Sequence, residues 1–309
     1  MYQQERKERF VNQYVVRETK DTILAMFKTI SPYEEKLGKD VSEMSEKELQ
    51  EVIDNTMAVR TISKYSKFRC LQKYIQWCAA SGYGNVTDAY TRIRMDGIDK
   101  MRRQFVANPA HLQRTLNQIF DPVDEETVDV IYRCYLWLGF MCFPENKISE
   151  LTANHLDFDA HKLSFRDNVY PLYQESEPVF FKAATLTEFT YRHTAPDYEI
   201  RRSRYLGNGL LRGIKSNFNT YTMRSKITAR VKQAVLTNGV PTQEISYKRL
   251  DASGIFYSIY TRECAGLPIS PKQEFYERFA AHGIQRESAI HIATSYVQDY
   301  ERWKIAFMK

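Results

Sequence analysis

The stretch LWLGFMCFPENKISELTANHLDFD, residues Leu136–Asp159, decides how the rest of the chain is interpreted. Its apolar first part predicts the end of a buried helix, and the chain turns at Pro144. A short helix that carries Ser149-Glu150-Leu151 follows, and Leu156–Asp159 leads into a predicted hairpin. This order predicts a helical domain that contains a small amount of β-structure.

The totals describe a globular protein with room for two domains. The chain has 309 residues, of which 43% are hydrophobic and 27% charged, and two domains of this size can each bury a core. Net charge is +6 and the pI about 8.9, which is compatible with a polyanionic partner. Five basic residues and no acidic one lie between Asn55 and Thr87, and ten basic residues lie between Arg192 and Lys232 against Asp197 and Glu199. Two basic blocks suggest a clamp on nucleic acid, and two solvated helix faces are the alternative.

Cysteine usage and the N-terminus indicate a protein of the cytoplasm. The five cysteines are odd in number and form no C-x-x-C motif, which is typical of reduced thiols. No Cys/His cluster has zinc-ligand spacing, so we expect neither a metal nor a cofactor. The N-terminal residues MYQQERKERF lack an apolar signal segment, and the longest apolar run, near Tyr135–Phe143, is too short to span a bilayer. We expect no membrane partner.

Helical patterns cover the first third of the chain. We predict a helix from Gln3 to about Ile30, ended by Ser31-Pro32 because a residue before proline is pushed out of the α region. Ser45–Glu48 is a capping box that starts the next helix. A basic helix opens near Thr61 or Ser63 and ends at Ser81–Gly84. Its predicted buried stripe is Phe68, Leu71, Ile75 and Cys78.

The prediction continues with helices and one hairpin. A helix at about Asp88–Phe105 comes before Asn108-Pro109, which we interpret as the hinge between domains 1–106 and 107–309. Asp167-Asn168 closes a two-residue hairpin between 163–166 and 169–172. Residues 192–215 form a basic loop. The remaining predicted helices are 111–120, 124–143, 185–193, 222–238, 246–264, 272–282 and 287–307.

The stretch around Lys147 resembles the start of the catalytic domain of tyrosine recombinases (phage integrases). In that family a Gly-Leu-Arg-x-Ser-Glu-Leu segment precedes an Asp-x-Asp strand, and Lys147 stands where the family has its arginine. The acidic helix, the basic helix and the glycine stop before it resemble the family's helical core-binding (SAM-like) domain. The resemblance covers residues 20 to 305. It implies a mainly α fold, in which a mostly helical catalytic-like domain with a small β-hairpin or sheet follows the core-binding domain.

Recombinase chemistry has defined requirements. A tyrosine attacks a phosphodiester and forms a phosphotyrosyl link, while two arginines neutralise the transition state through forked hydrogen bonds. A hairpin lysine protonates the departing sugar oxygen. Lys147 can neutralise a phosphate but makes no bidentate contact, so we interpret it as a DNA-backbone contact or a surface lysine. Arg166 occupies the hairpin position and is a poor general acid.

The later catalytic positions are also altered. Ser246-Tyr-Lys-Arg249 is the closest match to the family's His-x-x-Arg, with Ser246 in place of the histidine. Arg249 matches the second arginine, or it is a structural ion-pair partner. His291 and Tyr300 have the spacing of the final histidine and the nucleophile, Tyr296 is a rival, and His282-Gly283 reverses the family's Gly-His. The alternative is that both tyrosines pack in an amphipathic last helix.

The hypothesis is a catalytically inactive scaffold that binds specific double-stranded DNA, like the SPβ-type prophage repressors built on an integrase scaffold. We expect a transcriptional repressor that maintains lysogeny, acts on operator sites in the bacterial cytoplasm and associates with the nucleoid. A protein or peptide anti-repressor is left open. The alternatives are an active site-specific recombinase that exchanges DNA strands with a diverged site, and an architectural protein without sequence preference. The expected DNA contacts are Arg60, Lys64, Lys67, Arg69, Lys73, Lys147, Arg224, Lys226, Lys248 and Arg249.

Overall fold

The computed structural model describes most of the chain and divides it into two compact units. The described residues are 1–56, 61–83, 86–94, 98–120, 128–192, 200–205, 207–212, 219–238, 244–281 and 285–308. The first unit comprises Met1–Met101 and Ser270–Phe307, and the second comprises Arg102–Ile269. The domains 1–106 and 107–309 stay a prediction; in the structure Ser270–Phe307 group with the first unit.

The first unit is helical throughout the part that the structure describes. Its α-helices are α1 (Gln4–Val11), α2 (Arg17–Leu37), α3 (Glu46–Thr56) and α4 (Thr61–Ala80), and α5 (Ile98–Gln104) crosses the boundary between the units. Short 3-10 helices cover Val41–Glu43 and Ala89–Thr91. After the second unit the chain returns with two more helices, which we number below as α11 and α12. The core of this unit is apolar and aromatic, with Phe10, Phe27 and Tyr74 in edge-on contact.

The predicted helix end at Ser31-Pro32 is wrong, since α2 continues through Pro32 to Leu37 and Gly38 follows in the left-handed region. The buried face of α2 extends past the proline, from Ile23 to Glu34, so packing outweighs the missing backbone hydrogen bond. The single helix predicted from Gln3 is instead interrupted earlier, between α1 and α2, where Val15 is exposed.

The predicted start of α3 and the buried stripe of α4 are confirmed. The Ser45 backbone N–H donates to Glu48 at 2.8 Å and the Glu48 N–H donates to Ser45 Oγ at 3.4 Å, which is the reciprocal pair of a capping box. Backbone and side-chain donors of Ser45, together with Lys39, lower the pKa of Glu48 to about 2. All four predicted stripe residues of α4 are buried.

The predicted helix at Asp88–Phe105 is wrong in part. The structure has the 3-10 helix Ala89–Thr91 and then α5, while residues 95–97 lie outside the described part. The Gln50 side chain accepts from the Arg94 N–H at 2.8 Å and donates to the Arg94 carbonyl at 3.0 Å. These bonds replace the helical partners of Arg94, so the backbone there is satisfied without a helix.

Helices and short strands alternate in the second unit. The helices are α6 (Pro109–Ile119), α7 (Val128–Phe140), α8 (Glu177–Thr185), α9 (Thr220–Asn238) and α10 (Tyr247–Cys264), with 3-10 helices at Glu145–Glu150 and Ala153–His155. The strands are β1 (Leu156–Asp157), β2 (Lys162–Phe165), β3 (Asn168–Pro171), β4 (Glu188–Arg192) and β5 (Ile200–Arg204). In the first unit, α11 (Pro271–Ala281) and α12 (Arg286–Phe307) complete the helices.

The strands form a three-stranded antiparallel sheet, β1-β2-β3, and a separate antiparallel hairpin, β4-β5. Phe165 pairs with Asn168, so the turn residues are Arg166 and Asp167, one position earlier than predicted. Arg166 has φ 52°, the left-handed conformation that two-residue hairpin turns require. The helix predicted at 185–193 is wrong, because 188–192 form a strand, and the loop predicted at 192–215 is wrong at 200–204, which form the other strand of the hairpin. Residues 193–199, 206 and 213–215 of that predicted loop lie outside the described part.

Asn108 and Pro109, the predicted hinge, form the N-cap and the first turn of α6. The Asn108 side chain accepts from the His111 N–H at 2.8 Å, a side-chain cap that satisfies a free helical donor. Pro109 follows at the position where a helix needs no backbone donor.

The second unit is organised around α7, in which nearly every residue is buried. α10 crosses α7 at Gly254, where an added Cβ would lie 1.8 Å from the Phe140 carbonyl oxygen. Glycine is therefore required at this contact. The Tyr247 hydroxyl donates to the Phe143 carbonyl at 2.6 Å and fixes the start of α10 against the end of the same buried segment. Among the described helices, none is long and apolar enough to cross a bilayer.

Candidate nucleic-acid interface

The 3-10 helix Glu145–Glu150 brings two of the predicted site residues together. Lys147 Nζ lies 2.8 Å from Glu150 Oε1, and an Arg166 guanidinium nitrogen donates to Glu150 Oε2 at 2.8 Å. Lys147 is placed by the turn after Pro144, and Arg166 by the tip of the β2–β3 hairpin. The hydrogen bond from Lys147, followed by that from Arg166, lowers the pKa of the Glu150 carboxyl. One carboxylate thus holds two cations at the surface.

Arg224, at the start of α9, lies against the other end of this 3-10 helix. Its guanidinium binds Glu145 in a forked arrangement, with Nε donating to Oε1 at 2.8 Å and a terminal nitrogen to Oε2. The Tyr135 hydroxyl also donates to Glu145. The carboxylates of Glu145 and Glu150 therefore place Arg224, Lys147 and Arg166 along one short segment.

Arg249 lies near the start of α10 and is paired with Glu244. Its guanidinium donates to the Glu244 backbone carbonyl and lies 3.3 Å from Glu244 Oε2, while Gln104 donates to the same carboxylate at 2.6 Å. Burial lowers the pKa of Arg249 against the opposing effect of Glu244. This is the geometry of a structural ion pair, the second of the two interpretations given for this residue. The described contacts do not join Arg249 to Lys147.

Ser246, which the resemblance aligns with the family's histidine, is the N-cap of α10. Its backbone is extended, and its carbonyl accepts from the N–H groups of Arg249 at 3.0 Å and Leu250 at 2.9 Å. A hydroxyl at this position exchanges no proton near neutral pH. The side chain is half-buried.

The two candidate nucleophiles lie on α12, in the first unit. Tyr300 is fully buried and stacks on Trp303, with ring centroids 6.1 Å apart. Tyr296 is buried against Phe275 and Phe279 of α11. His291 is exposed. Tyr296 is therefore a packing residue of the α11–α12 pair and Tyr300 a buried packing residue of α12, as the amphipathic pattern of the last helix indicated.

The remaining predicted cations divide into exposed and undescribed positions. Arg69 and Lys73 are exposed on α4 and Lys67 is half-buried, whereas Arg60 and the side chain of Lys64 lie outside the described part. Lys226 on α9 and Lys248 on α10 are exposed, and neither forms an ion pair with a residue that the structure describes.

α9 itself has the composition of a helix that faces a polyanion. Between Ile200 and Gln243 the sequence has nine Lys and Arg residues and no Asp or Glu. Met223 and Ile227 are buried, while Thr222, Lys226 and Lys232 are exposed. The stretch without acidic residues already indicated this basic face in the sequence. The predicted DNA contacts include only some of its basic residues.

The carboxylates that organise the site were missed by the sequence analysis. Glu150 has a partial signal, since Lys147 and Glu150 are three residues apart on a short helix. Its second partner, Arg166, comes from a hairpin tip sixteen residues away, and no local pattern predicts that approach. Glu145 with Arg224 is a still longer-range pair, 79 residues apart.

Comparison with known proteins finds a family model that matches the start of the chain. Residues 1–80 match the family model described as MrpR, N-terminal core-binding domain. The match ends at Ala80, the last residue of α4, and supports a relation of the chain to the tyrosine recombinase (integrase) family. A core-binding domain indicates DNA binding in a recombinase-like protein. No curated protein matches the chain.

Proposed function

We propose that this protein is a sequence-specific repressor that binds double-stranded operator DNA through a tyrosine recombinase scaffold without strand-exchange activity. By resemblance it is a repressor of the SPβ-prophage type that maintains lysogeny in a bacterial cell, acting at the nucleoid. Its two basic surfaces, on α4 and along Glu145–Glu150 with α9, supply contacts to phosphates, and exposed helix side chains supply contacts to bases.

The observation that carries the proposal is the arrangement of Lys147, Arg166 and Glu150. Phosphoryl transfer by the family needs a forked guanidinium contact and a lysine that releases a proton. At this site an ammonium stands in place of the first guanidinium, and a guanidinium stands at the hairpin tip. Such a pair attracts a phosphate and holds it, but the hairpin position, from which the family's lysine protonates the departing oxygen, carries a guanidinium, which is a poor general acid.

The packing of the C-terminal tyrosines supports the same proposal. A nucleophilic hydroxyl must reach the scissile phosphate, whereas the Tyr300 side chain is fully buried and Tyr296 is 8% exposed. Both rings contribute to the packing of α12, and releasing them would expose a large apolar area.

A selection of bound genomic fragments tests this function. The full chain is mixed with sheared DNA from the host and its prophages at about physiological salt, with unrelated competitor DNA in excess. The proposal predicts recovered fragments that share a site at promoters. Recovery of phage attachment sites would instead indicate a recombinase, and recovery without a shared site would indicate an architectural protein. Addition of candidate phage proteins or peptides to the bound complex then tests release by an anti-repressor.

One observation favours the second candidate, an active recombinase. Arg166 is at the tip of the hairpin that delivers the catalytic lysine in the family, and it lies beside Lys147 through Glu150. Covalent attachment to DNA distinguishes the two candidates.

A further inference from the structure

The hairpin of β4 and β5 presents arginines on one of its faces. Thr190 pairs with Arg202 and Glu188 with Arg204, so these four positions share a face, because directly opposed residues of an antiparallel pair point to the same side. The intervening Phe189 points to the other side and is 1% exposed. Arg202 and Arg204 are exposed. One face of the hairpin thus packs on the unit and the other faces solvent.

The root of this hairpin is fixed to the second unit. The rings of Phe189 and Tyr205 are 4.7 Å apart, and the Tyr205 N–H donates to the Thr187 carbonyl at 3.2 Å. The Arg212 guanidinium lies 6.0 Å from the Tyr205 ring and donates to the carbonyl of Leu186 at 2.8 Å. The outward arginines are therefore carried on an anchored ribbon.

The charges on the outward face have little internal compensation. Glu188 Oε1 lies 3.7 Å from Arg204 Nε, and the Arg204 side chain is 87% exposed. Arg202 forms no ion pair with any residue in the described ranges. Both arginines begin the acid-free stretch between Ile200 and Gln243. A two-stranded ribbon fits the major groove of duplex DNA, and a guanidinium fork matches the oxygens of a phosphate.

We propose that the outward face of the β4–β5 hairpin is an additional contact with duplex DNA, in which Arg202 and Arg204 bind the phosphate backbone. The inference rests on the proposed function and adds to it a surface outside the positions that align with the recombinase site. Two residues along a strand span about 6.6–6.8 Å, so the two guanidinium groups can reach different phosphates. Contacts of this kind fix the register of the protein on the duplex.

The test compares the salt dependence of DNA binding between two charge-matched variants. Arg202→Gln with Arg204→Gln removes the proposed contacts. Arg9→Gln with Arg17→Gln removes the same charge from α1 and α2, where both side chains are exposed. Binding of a selected genomic fragment is measured between about 50 and 200 mM salt. We expect the hairpin pair to reduce the slope of log K against log salt by about two and the affinity by about tenfold or more, while the control pair leaves the slope near the wild-type value.

The outcomes separate this inference from the proposed function. The hairpin contact is overturned if the hairpin double variant has the same salt slope as the wild type, or if the hairpin and control double variants reduce the slope equally. Either result leaves DNA binding in place. Failure of the wild type to select DNA overturns both. Arg202→Lys with Arg204→Lys retains the charge and is expected to restore the slope even if the Gln pair folds poorly. A reduced slope in this Lys pair, with a wild-type melting temperature, also overturns the contact.

Discussion

At the scale of single residues, the cations of the site are held in place by carboxylates. Lys147 and Arg166 share Glu150, and Arg224 binds Glu145. Exposed ion pairs of this kind contribute little to folding, because solvent screens them. Their consequence lies in binding: a DNA phosphate must compete with the carboxylate for the same donors.

Glu150→Gln should therefore tighten DNA binding. The amide no longer attracts Lys147 and Arg166, and it adds no negative charge near an incoming phosphate. We expect a several-fold gain in affinity at fixed salt, whereas Lys147→Ala should weaken binding by about 1.5–3 kcal/mol, the usual range for a hydrogen bond to a charged group. Lys147→Arg should bind at least as well as the wild type. Titration of labelled DNA measures all three, with thermal melts as the folding control. Weaker binding by Glu150→Gln would show that the carboxylate assists recognition.

A buried charged cluster in the first unit gives a second residue-scale prediction. Lys7, Glu34 and Asp40 are fully buried, and Lys7 Nζ contacts Glu34 and lies 3.7 Å from Asp40. The Tyr74 hydroxyl donates to Asp40 at 3.0 Å, and the Val41 N–H donates to Glu34 at 2.9 Å. Burial, opposed by Lys7, raises the pKa of Glu34 from 4.5 to about 7.

The free energy of unfolding should depend on pH through Glu34. Because its pKa is higher in the folded protein, the proton on Glu34 adds stability below pH 4.5, and this contribution is lost as the pH rises to about 7. The change is on the order of 3 kcal/mol, since one pKa unit corresponds to about 1.4 kcal/mol. Urea unfolding of the wild type and Glu34→Gln at several pH values measures it. The stability of the wild type relative to the variant should fall between pH 5 and 7; a constant or rising difference contradicts the assignment.

At the scale of elements, the sequence predicted those helices whose ends and buried faces are determined by residues within the helix or next to it. The capping pair Ser45–Glu48 and the apolar stripe of α4 are examples. Pro32 misled the prediction, because the buried face of α2 continues beyond it. Glu188–Arg192 becomes a strand through pairing with Ile200–Arg204, a partner that the local pattern does not specify. Glu150 binds cations of a turn and of a hairpin tip, and it could not be predicted for the same reason, because the local pattern does not specify the approach of the hairpin.

Gly254→Ala should disrupt the crossing of α7 and α10. Its Cβ would lie 1.8 Å from the Phe140 carbonyl oxygen, which is backbone and cannot rotate away. Separating the helices should reduce the free energy of unfolding by about 3 kcal/mol or more, at the upper end for overpacked cores. Ser258→Ala, at an exposed position of α10, is the control and should change it by less than about 0.5 kcal/mol. Chemical denaturation checks both; a stable Gly254→Ala protein would mean that the crossing is looser than described.

The basic face of α4 should contribute to binding irrespective of sequence. Arg69 and Lys73 are exposed on the helix that ends the core-binding match. Arg69→Ala with Lys73→Ala should weaken binding to specific and unrelated DNA alike and reduce the salt slope by about one per lost phosphate contact. Fluorescence anisotropy with both kinds of DNA measures this. An unchanged slope would place this face away from DNA.

At the scale of the whole molecule, the proposed function is to bind DNA without cutting it. Residues 1–80 match a core-binding domain, and the second unit keeps basic positions along Glu145–Glu150 and α9. By the resemblance, a lysine stands at the first arginine position and a serine at the histidine position, and in the structure Tyr296 and Tyr300 are buried. The interpretation of Lys147 and Ser246 as exchanged catalytic positions stays a prediction from the sequence. The burial of Tyr300 agrees with the packing that the amphipathic pattern of the last helix indicated.

The most direct measurement of the central claim is the search for a covalent protein–DNA adduct. The wild type and a variant with Tyr296→Phe and Tyr300→Phe are incubated with a selected genomic fragment, then separated on a denaturing gel. We expect both proteins to bind the fragment with nearly equal affinity before denaturation and to release it completely afterwards. A retarded band in the wild type that is absent from the double variant would identify a phosphotyrosyl link and contradict the account, since the protein would then be an active recombinase.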